Sequence, residues 1–250
     1  MRKALLLLTL LAGAVAAGAQ TLPGLILNEV SQGPNVGAGQ KEYFEFVVAG
    51  TPTCTTNTLD LRGWIFDDNN NWVAAGAGTG IATGAMRFAN VSNWAAVPYG
   101  SIILVYNDND KNTAITMAND LTDANNDKVY VLPASSVMFD RNTVAPTTAS
   151  GSNFIYPTTN WVSGGDWNTV ALRNAGDAVI IVKPTVRNTE YFSLGFAIGS
   201  ASTATVWVPD MDSDSNRYLS DDNYSQASSW LLGVATGVPG TTAETPGAGP

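Results

Sequence analysis

The sequence predicts an all-β domain, a sandwich or barrel, on three observations. Ten short runs of β-branched and aromatic residues are each bounded by Gly, Pro, Asn or Asp. No stretch repeats its apolar residues at convincing helical spacing, so strands joined through helices are not expected. The composition agrees: 45% of the 250 residues are hydrophobic and only 13% charged, while 22 Asn, 26 Thr and 24 Gly take the place of charge. Such uncharged, turn-forming and β-tolerant residues suit short strands joined by many loops.

In chain order, residues 1–19 read first as a secretory leader. Arg2 and Lys3 form its positive end, residues 4–15 its apolar stretch, and Ala17-Gly18-Ala19 a small-residue cleavage pattern that leaves Gln20 first. The apolar run is shorter than the roughly 20 residues that span a bilayer. Strands are then expected over 25–30, 42–48 and 58–66, the last changing phase at Gly63 as a bulge would. Further strands are expected over 86–88, 101–106, 128–132, 169–172, 178–182, 189–196 and 204–208. Residues 114–121 and 225–232 have room for one or two helical turns, and 134–166, rich in Ser, Thr, Gly and Pro, reads as an inserted loop. The domain is thus expected over 22–237, followed by a Pro/Gly-rich linker or chain end over 238–250 that is not a packed element.

Several of these motifs fall in a familiar order. Leu27-Asn28-Glu29-Val30, Glu42-Tyr43-Phe44-Glu45-Phe46 and the run from Leu59 to Asp67 resemble the opening of lamin-tail domains in secreted bacterial proteins. The stretch 97–105 resembles that family's Pro-Gly turn into a central strand, 172–179 its later hairpin, and Thr245-Pro246-Gly247-Ala248 its usual ending. The resemblance implies an immunoglobulin-like β-sandwich, here with long loop insertions at 67–98 and 108–168. It also implies an exported interaction or adhesion module of a cell-surface or secreted protein, without catalytic residues to carry over.

Residue chemistry narrows the function. The chain has no His, which removes Ser-His-Asp and Cys-His catalysis and His-ligated zinc. A single cysteine, Cys54, makes no internal disulfide. Without Arg2 and Lys3 the chain carries ten basic and 21 acidic residues, a net charge of −11, with no basic patch for nucleic acid. Glu29, Glu42 and Glu45 are the tempting catalytic carboxylates, yet Glu42 and Glu45, three apart in a strand, face opposite sides. A glycosidase pair is therefore disfavoured, and a calcium-dependent hydrolase or nuclease accessory domain is the enzymatic alternative.

Alternating Asp and Asn mark four loops, and alternate oxygens on a curling loop suit calcium, which takes 6–8 oxygen ligands. The strongest is Asp210, Asp212, Asp214 and Asn216, with Asp221 at the twelfth position, although Ser215 stands where an EF-hand loop has Gly. The weaker three are Asp67/Asn69/Asn71, Asp108/Asp110/Asn112 and Asp123/Asn125/Asp127. The plain alternative is that Asp and Asn cluster in turns by capping their own backbone. Finally, Trp72, Trp94, Trp161 and Trp167 lie in polar, loop-like contexts, which keeps a carbohydrate-binding module in view. The expected partner is a protein or a glycan, with no nucleic acid and no membrane span after leader cleavage.

Overall fold

Residues 23–33, 41–68, 82–148, 154–172, 177–185, 190–196, 205–209, 211, 215–234 and 245–248 are described by a computed structural model. The leader at 1–19, Asn69, Asn71, Trp72, residues 173–176 of the expected hairpin, and Asp210, Asp212 and Asp214 lie outside them.

The chain folds as an all-β sandwich. One sheet has six strands in the order β17-β16-β1-β2-β7-β8: Trp230–Val234, Ser215–Leu219, Gly24–Ser31, Tyr43–Ala49, Ile102–Tyr106 and Val129–Pro133. The other has seven, in the order β12-β9-β5-β4-β13-β14-β15: Val162–Ser163, Phe139–Asn142, Ala85–Phe88, Ile65–Asp67, Asp177–Val182, Glu190–Phe196 and Val206–Val208. Two short pairs, β3 (Thr58–Leu59) with β6 (Val97–Pro98) and β10 (Thr147–Thr148) with β11 (Phe154–Ile155), stand apart. Pairing is antiparallel except for β7 with β8 and β14 with β15.

Alternation decides which side chains enter the core. On β2, Phe44, Phe46 and Val48 point inward. They meet Phe66 of β4, Phe88 of β5 and Val179 and Ile181 of β13 in one buried cluster. Opposite them on β1 stand Leu25, Leu27 and Val30, a series that breaks phase because the register shifts between Leu27 and Glu29. The bulge sits at Asn28. It brings Asn28 and Glu29 to the outer face together, where Glu29 lies opposite Glu45 of β2.

The described parts of the 108–168 insertion are packed. Ile115 and Met117, from the loop before β8, cover Tyr43, Leu104, Tyr106 and Val131 on the outer face of the six-stranded sheet. Tyr156 and Trp161 cover Ile65, Ala85, Ala178, Ile180 and Val182 on the outer face of the other. Two stretches of this insertion thus cap apolar sheet faces that would otherwise meet water.

Several local expectations change. The run 58–66 is not one bulged strand: Gly63 adopts φ of +79°, turns the chain, and leaves β3 and β4 in different pairings. Residues 169–172 form no strand. Asp166 caps a 3-10 turn at Trp167–Thr169 by accepting from the Asn168 amide, and its carbonyl accepts the Thr169 hydroxyl at 2.7 Å. Residues 225–232 split into a 3-10 turn, Ala227–Ser229, and the edge strand β17, while 114–121 holds no helix. The inserted region 134–166 contributes β9 to β12 instead of being loop throughout.

Candidate functional site

Three glutamates near the start of the sandwich are wholly buried, and the alternation of β2 sorts them. Glu29 and Glu45 stand on the outer face of the six-stranded sheet, whereas Glu42, just before β2, points inward. As the sequence implies, Glu42 and Glu45 do not share a cleft.

Glu29 and Glu45 form a nest for the chain end. The Glu29 carboxylate accepts the Tyr43 hydroxyl at 2.7 Å and the Asn216 side-chain amide at 2.6 Å. It also accepts the Thr245 hydroxyl at 3.1 Å and the Thr245 backbone N–H at 3.2 Å. Glu45 accepts the Asn28 amide at 2.6 Å and the Gly247 N–H, while the Asn28 amide also donates to the Ala248 carbonyl at 3.1 Å. Residues 245–248 are therefore tied to the sheet, which corrects the expectation that nothing in 238–250 packs. Burial pushes both carboxyls upward; the nearby Glu29 charge adds to the shift of Glu45, which reaches about 8. The hydrogen bonds partly oppose this shift, and no ion pair among the described residues reaches either group.

Gly247 fits this nest for two reasons. Its φ is +83°, and a Cβ there would lie 2.6 Å from Met117 Sδ. Gly247→Ala is expected to lower stability by about 1–2 kcal/mol, the cost of a left-handed residue with a side chain. A urea melt measures it; an unchanged midpoint would show that the chain end is not docked in solution.

Glu42 lies at the end of the core, beneath Trp167, whose ring is 4.9 Å from Phe44. Its Oε2 accepts the Trp167 indole N–H at 2.5 Å and the Leu172 N–H at 3.4 Å, and its Oε1 has no partner. Burial, with a smaller contribution from the Asp68 charge, pushes this carboxyl up to about 8. Asp67, fully buried at the end of β4, accepts the Tyr156 hydroxyl at 2.7 Å. Burial and the charge of Asp68 raise it well above the usual carboxylate range.

The acidic loops are spread apart. Of the strongest motif, Asn216 lies in β16 and donates to Glu29, while Asp221 lies past the strand end and accepts the Asn223 amide. Asp108 accepts the Ser135 hydroxyl at 2.6 Å, Asp110 faces Lys41 at 3.8 Å, and Asn112 donates to the Lys41 carbonyl at 2.8 Å. Asp123 and Asp127 accept the backbone amides of Lys128 and Val129, and Asn125 accepts that of Asp127. These side chains shape a turn in which Asp123, Asn126 and Lys128 all have positive φ. Asp67 is the described member of its own motif, and Asp68, which the pattern skips, lies nearer Glu42 in its electrostatic effect. Among the described residues, no three acidic or Cys side chains converge into a complete metal cage.

Of the tryptophans considered as glycan platforms, Trp94 and Trp167 are core residues. Trp161 is half-buried, with Arg87 stacked 4.5 Å from its ring centre and a hollow of about 150 Å³ alongside, lined by Pro157, Thr158 and Pro184. Cys54 is exposed. No helix among the described residues is long and apolar enough to cross a membrane.

Fold and site together define an all-β sandwich whose buried acids fasten chain segments to its sheets. The chain matches no protein-family model, no curated protein and no solved structure.

Proposed function

We propose that this chain is an exported, non-catalytic interaction module of lamin-tail type, displayed on or released from a bacterial cell. The observation that carries the reading is the burial of its candidate catalytic acids: Glu29, Glu42 and Glu45 each expose 0% of their surface. A general acid must come within hydrogen-bond reach of its substrate, and the burial of these three supports a non-catalytic reading. The ordered motifs of the sequence support the lamin-tail part, and the docked Thr245-Pro246-Gly247-Ala248 ending is in keeping with it. Calcium is proposed as a stabilising ion, with Asp210, Asp212 and Asp214 among its candidate ligands. The leader motif supports export, with Gln20 as the first mature residue.

The test uses the chain from Gln20 onward, assayed with calcium against phosphodiester, ester and glycoside substrates. No turnover above the blank is expected. Turnover that disappears in Glu42→Gln would overturn the reading in favour of a hydrolase. Trp161 favours one second reading, a carbohydrate-binding module. Glycan binding lost in Trp161→Ala would establish it.

A further inference from the structure

The inward series on β2, read toward its start, is Val48, Phe46, Phe44 and then Glu42. On β4 it is Phe66 followed by Asp68, just past the strand. Phe66 packs between the two phenylalanines of β2, 5.2 Å from Phe46 and 6.3 Å from Phe44. Glu42 and Asp68 are therefore the next inward positions on facing sheets, at one end of the sandwich. Each brings a buried carboxylate oxygen without a hydrogen-bond partner: Glu42 Oε1 and Asp68 Oδ1. Asp67 adds a third buried acid, its carboxyl against that of Asp68. None of the ion pairs among the described residues, Lys41–Asp110, Arg62–Asp60 and Arg87–Asp140, includes Glu42, Asp67 or Asp68.

A buried carboxylate without a counter-charge costs several kcal/mol, and the protein escapes that cost either by protonating the group or by placing a cation against it. Unpartnered buried oxygens on native side chains usually mark an ion or a water. Here the two oxygens come from opposite sheets, and hydrogen bonds from Trp167 and Leu172 hold Glu42 by its other oxygen. The donors are hard carboxylate oxygens without nitrogen or sulfur, which selects calcium or magnesium over zinc or copper.

We infer that Glu42 Oε1 and Asp68 Oδ1 are two ligands of a divalent, calcium-class cation that bridges the sheets at this end of the sandwich. Water and main-chain oxygens complete its shell, since no third acid reaches cage spacing. So few protein charges place the affinity near that of extracellular calcium modules, about 0.1–1 mM. Asp68 lies beside Asp67 of one acidic loop, but the site needs none of the alternating Asp and Asn residues as a ligand.

Terbium reports on the site because the Trp167 indole is hydrogen-bonded to Glu42 and can sensitise a lanthanide beside it. With the chain from Gln20 onward, excitation of tryptophan is expected to give terbium emission that calcium displaces in the millimolar range. Glu42→Gln and Asp68→Asn should each weaken terbium binding at least tenfold, and Asp60→Asn, at an exposed ion pair, should leave it unchanged. Emission indifferent to Glu42→Gln and Asp68→Asn would overturn the site.

Discussion

Phe66→Ala is expected to lower the thermal midpoint by roughly 6–20 °C. Phe66 is 0% exposed, and its ring lies 5.2–6.3 Å from those of Phe44, Phe46, Phe88 and Phe139. These neighbours come from both sheets, so the ring is the point at which the two halves of the core touch. Truncating a buried Phe to Ala costs about 3–5 kcal/mol, part of it lost transfer energy and part the cavity that surrounding side chains fail to fill. Four rigid rings have few alternative rotamers with which to collapse, so little of this cost is recovered. A chain of this size loses about 2–4 °C per kcal/mol, which gives the stated fall. Phe66→Leu fills most of the space and should cost less than half as much. Val137→Ala, at a side chain 66% exposed, should leave the midpoint within about 1 °C. A loss below 1 kcal/mol for Phe66→Ala would mean that the sheets do not pack through this ring.

The readable parts of the fold were those with one environment per face. Residues 42–48 are aromatic and β-branched apart from two Glu, and 102–106 and 178–182 are apolar runs buried on both faces; all appear as strands within a residue or two. Where two local preferences compete, the pattern misleads. Residues 58–66 look like one strand until Gly63 takes a positive φ, and 169–172 have β-branched residues but sit under an Asp166 cap. β16 was hidden for another reason: Ser215, Asn216 and Arg217 are polar, and their burial follows from lying between β1 and β17, a long-range pairing no local window contains.

The site was legible in its residue types and illegible in its partners. Parity alone separates Glu42 from Glu45. That Glu29 joins Glu45 depends on the bulge at Asn28, which is a matter of pairing with β2 rather than of local sequence. The chain end reads as a linker because its Pro and Gly favour extended or turn backbone and show no strand or helix period. Yet the Thr245 and Gly247 N–H groups donate to Glu29 and Glu45, 216 and 202 residues away in sequence. Alternating acids drew attention to Asp67, whereas Asp68, next to it, supplies the inward oxygen without a partner. A better signal was available in β4 itself: after Phe66 points inward, the next inward position is Asp68, an acid where a core strand should continue apolar.

Stability should fall as pH rises from about 5 to about 9, and Glu45 should account for a measurable share. Its carboxyl titrates near 4.5 when exposed and is pushed up to about 8 in the fold by burial and by facing Glu29. The folded chain therefore holds this proton more tightly than the unfolded chain. The stability so gained is complete below about 4.5 and is lost as pH climbs toward 8, the reverse of a salt-bridged carboxylate. Glu29, also raised, acts in the same sense. The groups around the pair are Tyr43, Asn28, Asn216, Thr245 and Gly247, none of them a cation that could offset the second charge. If only one pH unit of the Glu45 shift is expressed, it is worth about 1.4 kcal/mol, or roughly 3–5 °C in a chain of this size. The readout is the difference between pH 5 and pH 9 in melting midpoint, compared between the unaltered chain and Glu45→Gln. The variant cannot ionise at this position, so its midpoint should fall by about 3–5 °C less over the same interval. Equal slopes in the two proteins would show that the chain end holds Glu45 without raising it. A steeper fall in the variant would mean that ionised Glu45 stabilises the fold through the Gly247 and Asn28 hydrogen bonds.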